Sequence, residues 1–122
     1  MLVSTHFKSL RQYFYPCLGG ILGGISVATN FWLVFMPISL FILWKGSERR
    51  IASFWWGFFF ILISHSWLYA LHPLTWLGFS WISSLIISIS ILLGCSLVGG
   101  ILVYFWGLLC KRILQKKDIS YT

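Results

Sequence analysis

Charge is what this sequence has least of. Only two acidic residues, Glu48 and Asp118, occur in 122. No charged side chain of either sign stands between Arg11 and Lys45, or between Arg50 and Lys111. A charge at the centre of a bilayer costs roughly 2.5–3.5 kcal/mol on insertion scales, so spans are swept clean of it. A water-soluble domain with 59% hydrophobic residues and 9% charged ones could not cover its apolar surface. The composition therefore predicts an all-α integral membrane protein.

Cysteine is also sparse. Cys17, Cys95 and Cys110 lie far apart in or beside apolar runs, without a CxxC or Cys/His spacing. That pattern excludes a zinc site, and the odd count argues against a disulfide framework. The three read as buried thiols acting as small hydrophobes. Cys17 makes a poor lipidation site, because Tyr15 and Pro16 precede it where small residues are wanted. Lys8 and Arg11 before an apolar stretch, with Ser26 and Ala28 beyond it, loosely imitate a cleaved leader. Apolar character resumes at Phe31, so a retained span is the expectation.

What is present is basic charge in three clusters: Lys8 with Arg11; Lys45, Arg49 and Arg50; and Lys111, Arg112, Lys116 and Lys117. The net charge of +7 reflects membrane topology and contact with anionic headgroups rather than nucleic acid. Short cytoplasmic segments collect Lys and Arg, so an even number of crossings should separate successive clusters. Residues 51–110 fit two helices, 51–71 and 79–110, around an outer loop at 72–78. Pro73 cannot donate to a helix and biases His72 away from helical geometry. Trp67, Tyr69, Trp76 and Trp81 gather there as interfacial rings do. The last helix is longer than one crossing requires, with Gly99-Gly100 as a place for a break.

Residues 12–44 are long for one span and tight for two. Asn30 is costly in mid-membrane and suits a turn, which favours a hairpin of residues 13–28 and 31–44 hinged at Thr29-Asn30. The expected organisation is a cytoplasmic tail at 1–12, a short hairpin at 13–44 and a basic cytoplasmic loop at 45–50. A second hairpin at 51–110 and a basic cytoplasmic tail at 111–122 complete it. That gives about four spans in the plasma (inner) membrane, with both termini inside.

Gly19, Gly20, Gly23 and Gly24 form two overlapping GxxxG spacings, which let a partner backbone approach one helix face. Ser80, Ser84 and Ser88 recur every four residues and read as a second packing face. His65, between Ser64 and Ser66, is the one strongly titratable side chain expected inside a span. It has two readings, a neutral ring satisfied by nearby carbonyls and hydroxyls or an intramembrane functional group. His72 is expected in the outer loop, at the interface beside Trp76. No catalytic constellation emerges: both acids fall in segments expected in the cytoplasm, away from His65 and His72, and no third group completes a Cys/His or Ser/His/Asp set. No cofactor or metal is implied.

The string from Ser64 through His65-Ser66-Trp67 and His72-Pro73-Leu74-Thr75-Trp76 to Gly78 is the most specific in the chain. Together with the Gly-rich first helix, the basic loop 45–50 and Trp56-Gly57-Phe58, it resembles the apolipoprotein N-acyltransferases, especially those of cyanobacterial type. The likeness runs over residues 11–112 and corresponds to the amino-terminal part of that family's eight-helix membrane domain. In the family, a Glu-Lys-Cys triad in a nitrilase-like domain carries an acyl group from phospholipid to the amino-terminal Cys of a lipoprotein. No residue of this sequence matches that triad, and Cys95 and Cys110 lack an activating partner. The resemblance thus implies a membrane-anchoring portion, inactive alone, whose partners are phospholipid and either a missing carboxy-terminal half or other membrane subunits. The chain would then be a truncated, split or stand-alone product. The alternative is a small structural or accessory subunit of a membrane complex. A third reading, a four-helix transporter similar to the small multidrug-resistance proteins, conflicts with the lack of any acid in a span.

Overall fold

A computed structural model of the chain describes residues 3–29, 32–46 and 49–119, with side-chain surroundings for 14–29, 34–46, 49 and 51–113. Four α-helices and two short 3₁₀ turns make up the described residues, with no strand among them. They are α1 (Val3–Ala28), α2 (Trp32–Gly46), α3 (Arg50–Ser64) and α4 (Trp81–Ile119), the 3₁₀ turns lying at Ser66–Leu71 and Leu74–Leu77. The all-α expectation holds.

Local chemistry sets the boundaries. Thr29 closes α1 by donating both its backbone N–H (2.9 Å) and its hydroxyl (2.7 Å) to the carbonyl of Ile25. Asn30, the expected hinge, lies outside the described residues, as do Ser47 and Glu48 of the basic loop. The third helix differs from expectation: α geometry stops at Ser64 rather than 71, and the chain continues to Leu71 as a tighter 3₁₀ turn. Gly78 adopts φ +83°, the left-handed geometry that ends a turn most cheaply without a Cβ. Ser80 then starts α4 as its N-cap, its hydroxyl accepting from Ser83 N–H at 3.3 Å. Gly99-Gly100 does not break α4, which runs continuously for 39 residues.

The contacts give the order of the helices. Ser26 bonds Met36, Ser39 bonds Gly19, and Gly46 sits against Pro16, so α1 and α2 run antiparallel. Gly20 meets Trp56 while Gly24 meets Phe60 and Ile63, so α1 and α3 run parallel and pack directly. Gly57 lies against Gly99 and Val103, and Gly100 against Phe54, on the antiparallel partner α4. Helix α3 is thus clasped between α1 and α4, with α2 laid along α1.

Both clasps depend on missing side chains. A Cβ on Gly20 would collide with the Trp56 carbonyl oxygen, and one on Gly57 would stand 2.7 Å from the Gly99 carbonyl oxygen. On the other side of α1, Ile42 and Ser39 of α2 crowd Gly19 and Gly23. A polar node binds three helices there: the Ser39 hydroxyl donates to Gly19 C=O (2.7 Å), and the Trp56 indole N–H donates to Ser39 C=O (3.2 Å). Such interhelical bonds contribute roughly 0.6–2 kcal/mol each in a membrane.

Burial is inverted relative to a water-soluble protein. Among the described residues the fully buried side chains are serines, namely Ser26, Ser39, Ser53, Ser84 and Ser96, whereas the buried hydrophobic ones are Leu43, Ala52 and Trp56. Large apolar side chains such as Phe41, Ile86, Leu102 and Leu109 point outward. One segment, Trp81–Ile113, is long and apolar enough to cross a membrane, with mean hydropathy 2.5; the apolar segments Phe14–Ala28, Val34–Gly46 and Ile51–Ser64 are shorter. The alternating helix directions also bring all nine Lys and Arg positions to one end of the bundle: the start of α1, the end of α2, the start of α3 and the end of α4.

Gly20→Ala should therefore lower stability by about 1–3 kcal/mol, the usual cost of overpacking a tight contact. Gly94→Ala is the control, since nothing lies within 4 Å of a Cβ there. It should be neutral or stabilising by up to about 1 kcal/mol through helix propensity. Unfolding midpoints in detergent titrations of the two variants would reveal the contrast.

Candidate functional site

The loop between α3 and α4 holds the chain's chemistry-bearing side chains. His65 is not inside a helix as expected but caps the end of α3, with its N–H donating to Ile61 C=O at 2.9 Å. Its Nδ1 lies 3.0 Å from the Ser64 hydroxyl, which also reaches Ile61 C=O at 3.4 Å. The ring is therefore tied to local groups of its own helix end.

His72 is more deeply set. It is half-buried, its ring edge-on to Trp81 with centroids 4.9 Å apart, and Tyr69 stands 6.4 Å away. Its Nδ1 is 2.9 Å from the hydroxyl of Ser84 in the first turns of α4. The same hydroxyl oxygen accepts from Leu74 N–H at 2.6 Å. Leu74 N–H takes one of the two acceptor positions of that oxygen, and the direction of the bond to Nδ1 follows the tautomer of the ring. The ring's Nε2 is buried and has no hydrogen-bond partner among the described residues.

A serine hydroxyl bonded to an imidazole looks like half of a nucleophile pair. Here it is a strut. Ser84 is completely buried, its oxygen already engaged twice, so no substrate carbonyl can approach it. Among the described residues no acid orients the ring: Asp118 sits 34 residues along α4 from Ser84, about 50 Å at the helical rise of 1.5 Å per residue. Among the described residues no group of three His, Cys, Asp or Glu could hold a metal ion.

The other singled-out residues separate by position. Gly19, Gly20, Gly23 and Gly24 are all buried in the contacts with α2 and α3. Of the serine series, Ser84 and Ser88 are buried and the Ser88 hydroxyl has no partner, while Ser80 is the exposed cap of α4. Trp76, at 76% exposed, projects from the loop, and Trp67, Tyr69 and Trp81 are exposed around it. Sequence reasoning missed the pairing of His72 with Ser84. The two are twelve residues apart across an irregular turn, and no periodicity joins them.

Ser84→Ala should release the loop without unfolding the bundle. It removes the acceptor for Leu74 N–H and the partner of His72, at a cost of about 1–3 kcal/mol for buried groups left unsatisfied. Hydrogen exchange should speed up across residues 66–80 and stay unchanged in α1 and α3. Uniform protection throughout would mean that Ser84 is not the latch.

Comparison with known proteins gives several relatives. Over 119 residues, 98% of this chain, it is 71% identical to a Prochlorococcus marinus subsp. pastoris protein named apolipoprotein N-acyltransferase. It is 44% identical over 92 residues, 75% of the chain, to a protein of that name from Prochlorococcus marinus strain SARG. A protein of the same name from Parasynechococcus marenigrum is 38% identical over 101 residues, 83% of the chain. The chain spans only 24%, 18% and 21% of the length of these relatives, respectively. No protein-family model matches it. No solved structure matches it either.

Proposed function

Because this chain is related to the amino-terminal part of the cyanobacterial apolipoprotein N-acyltransferases, we propose that it forms the membrane-anchoring amino-terminal helices of a protein of that kind. In this reading α1 to α4 cross the inner membrane four times. Residues 1–12, 45–50 and 111–122 face the cytoplasm, and the loop at 72–78 lies at the outer surface. The observation that carries the reading is the inverted burial, with serines inside and leucine, isoleucine, phenylalanine and tryptophan outside. Only an apolar solvent makes that distribution favourable. The gathering of every Lys and Arg position at one end supports the orientation, because basic residues in short loops stay on the cytoplasmic side. The shorter apolar segments of α1, α2 and α3 are accommodated by local thinning of the bilayer and by snorkelling of their flanking residues.

The family's chemistry is transfer of an acyl chain from phospholipid to the amino-terminal Cys of a lipoprotein. A nucleophile, a base and charge stabilisation for a tetrahedral intermediate are all required, and among the described residues no such set is assembled. Cys17 lies on α1 and Cys95 and Cys110 on α4, and the Ser84 hydroxyl that meets His72 is fully buried. The role proposed here is to hold a catalytic part at the membrane. An accessory-subunit role draws less support, because the glycine face that would receive a partner is covered by α2 and α3.

Cysteine labelling from outside the cell should reach a Cys introduced at Thr75 and miss one introduced at Ser47. The reverse pattern would overturn the four-span orientation. Residues 1–122 expressed in cells depleted of their own enzyme should yield no triacylated lipoprotein by mass spectrometry. Complementation by this chain alone would sink the anchoring role.

A further inference from the structure

We propose that the basic end of the bundle is a binding surface for the phosphodiester headgroups of anionic phospholipids, built from Lys45, Arg49, Lys111 and Arg112. The proposal rests on the membrane-spanning reading above and adds a lipid preference to it. In sequence these cations belong to two clusters divided by one long uncharged stretch, residues 51–110. The antiparallel order brings the end of α2, the start of α3 and the carboxy-terminal part of α4 to one end of the bundle. A Cβ built on Gly46 would stand 3.9 Å from Pro16 and 3.8 Å from Ala52, which places the neighbouring Lys45 beside α1 and α3. All four side chains are exposed, and among the described residues they form no ion pair. The remaining Lys and Arg positions belong to the same ends of α1, α3 and α4 along the chain.

The surroundings select a lipid over other anions. Arginine offers a planar fork of donors to a phosphate, and lysine a mobile point charge. Directly beside the cations lie exposed apolar side chains: Trp44 next to Lys45, Ile51 after Arg49, and Leu109 and Ile113 around Lys111 and Arg112. A cationic rim above an apolar wall matches a molecule with a phosphate head and acyl tails. A nucleic acid or free phosphate leaves the wall unused.

The test uses residues 1–122 purified in neutral detergent and offered equimolar phosphatidylglycerol and phosphatidylcholine, with retained lipid read by native mass spectrometry. Phosphatidylglycerol should be preferred, by about fivefold for each cation near the surface at low salt, and the preference should fall as salt rises. The combined variant Lys45→Gln, Arg49→Gln, Lys111→Gln, Arg112→Gln should bring retention close to parity. An unchanged preference in that variant overturns the proposal, as does a wild-type preference that is absent or insensitive to salt. Displacement of the lipid by glycerol phosphate or by an oligoribonucleotide at matched phosphate concentration also overturns it, by making the surface a general phosphate or nucleic-acid site. Resistance to alkaline extraction from pure phosphatidylcholine vesicles reads membrane insertion separately. A chain that inserts there but shows no headgroup preference loses this proposal and keeps the spanning reading, whereas failure to insert counts against spanning itself. The wild-type salt titration decides the matter even if the combined variant does not fold.

Discussion

The backbone of α3 is approached at close range from two sides, and the rest of the bundle follows from that. On one side Gly20 faces the carbonyl of Trp56; on the other Gly57 faces Gly99 across the contact between α3 and α4. In lipid there is no hydrophobic drive to pull helices together, so association depends on dense contact and on polar groups meeting across interfaces. Glycine brings backbone to backbone and lets large neighbours, Trp56 and Phe60 stacked at 5.0 Å, fill the space alongside. The hydrogen bonds from Ser39 to Gly19 and from Trp56 to Ser39 are geometrically available only because α1, α2 and α3 are already that close.

The same logic organises the polar groups. Serine is small enough to sit between tightly packed helices and can donate to a carbonyl of its own or a neighbouring helix, as Ser26 does to Gly23 and Ser96 to Leu92. Ser84 extends this role to the loop, where one hydroxyl meets both Leu74 and His72 and fixes an irregular segment onto α4. What results is a scaffold with a buried polar interior, an apolar exterior and an aromatic loop between α3 and α4, opposite the end where the Lys and Arg positions gather. Those features suit the anchoring part proposed above, and the Ser84 hydroxyl that meets His72 is sealed within it.

Much of this was legible from residue order. The two uncharged stretches marked the apolar helices, Pro73 and the tryptophans around it marked the loop, and the glycine spacing marked a packing face. The end of α3 was not legible. Residues 66–71 are as apolar as those before them, and nothing in their composition separates a 3₁₀ turn from continuing α-helix. The place of His65 moved with it, from within a helix to its cap. The serine series was read as one face, yet its first member caps α4 while the next two are buried, because the first turn of a helix leaves N–H groups that a side chain must satisfy.

By itself the sequence determined the all-α class and its apolar helices, since the absence of charge over long stretches is local and is written directly into residue order. It also determined the kinship with the cyanobacterial acyltransferases, which depends on residue identity alone. Only the tertiary structure decided which helix each glycine meets, that α3 rather than α1 is central, and that His72 is held by Ser84. It alone brought separated basic clusters to a common end. These are contacts between residues distant in the chain. Helix direction and close packing select among them, and no local pattern of residues encodes that choice.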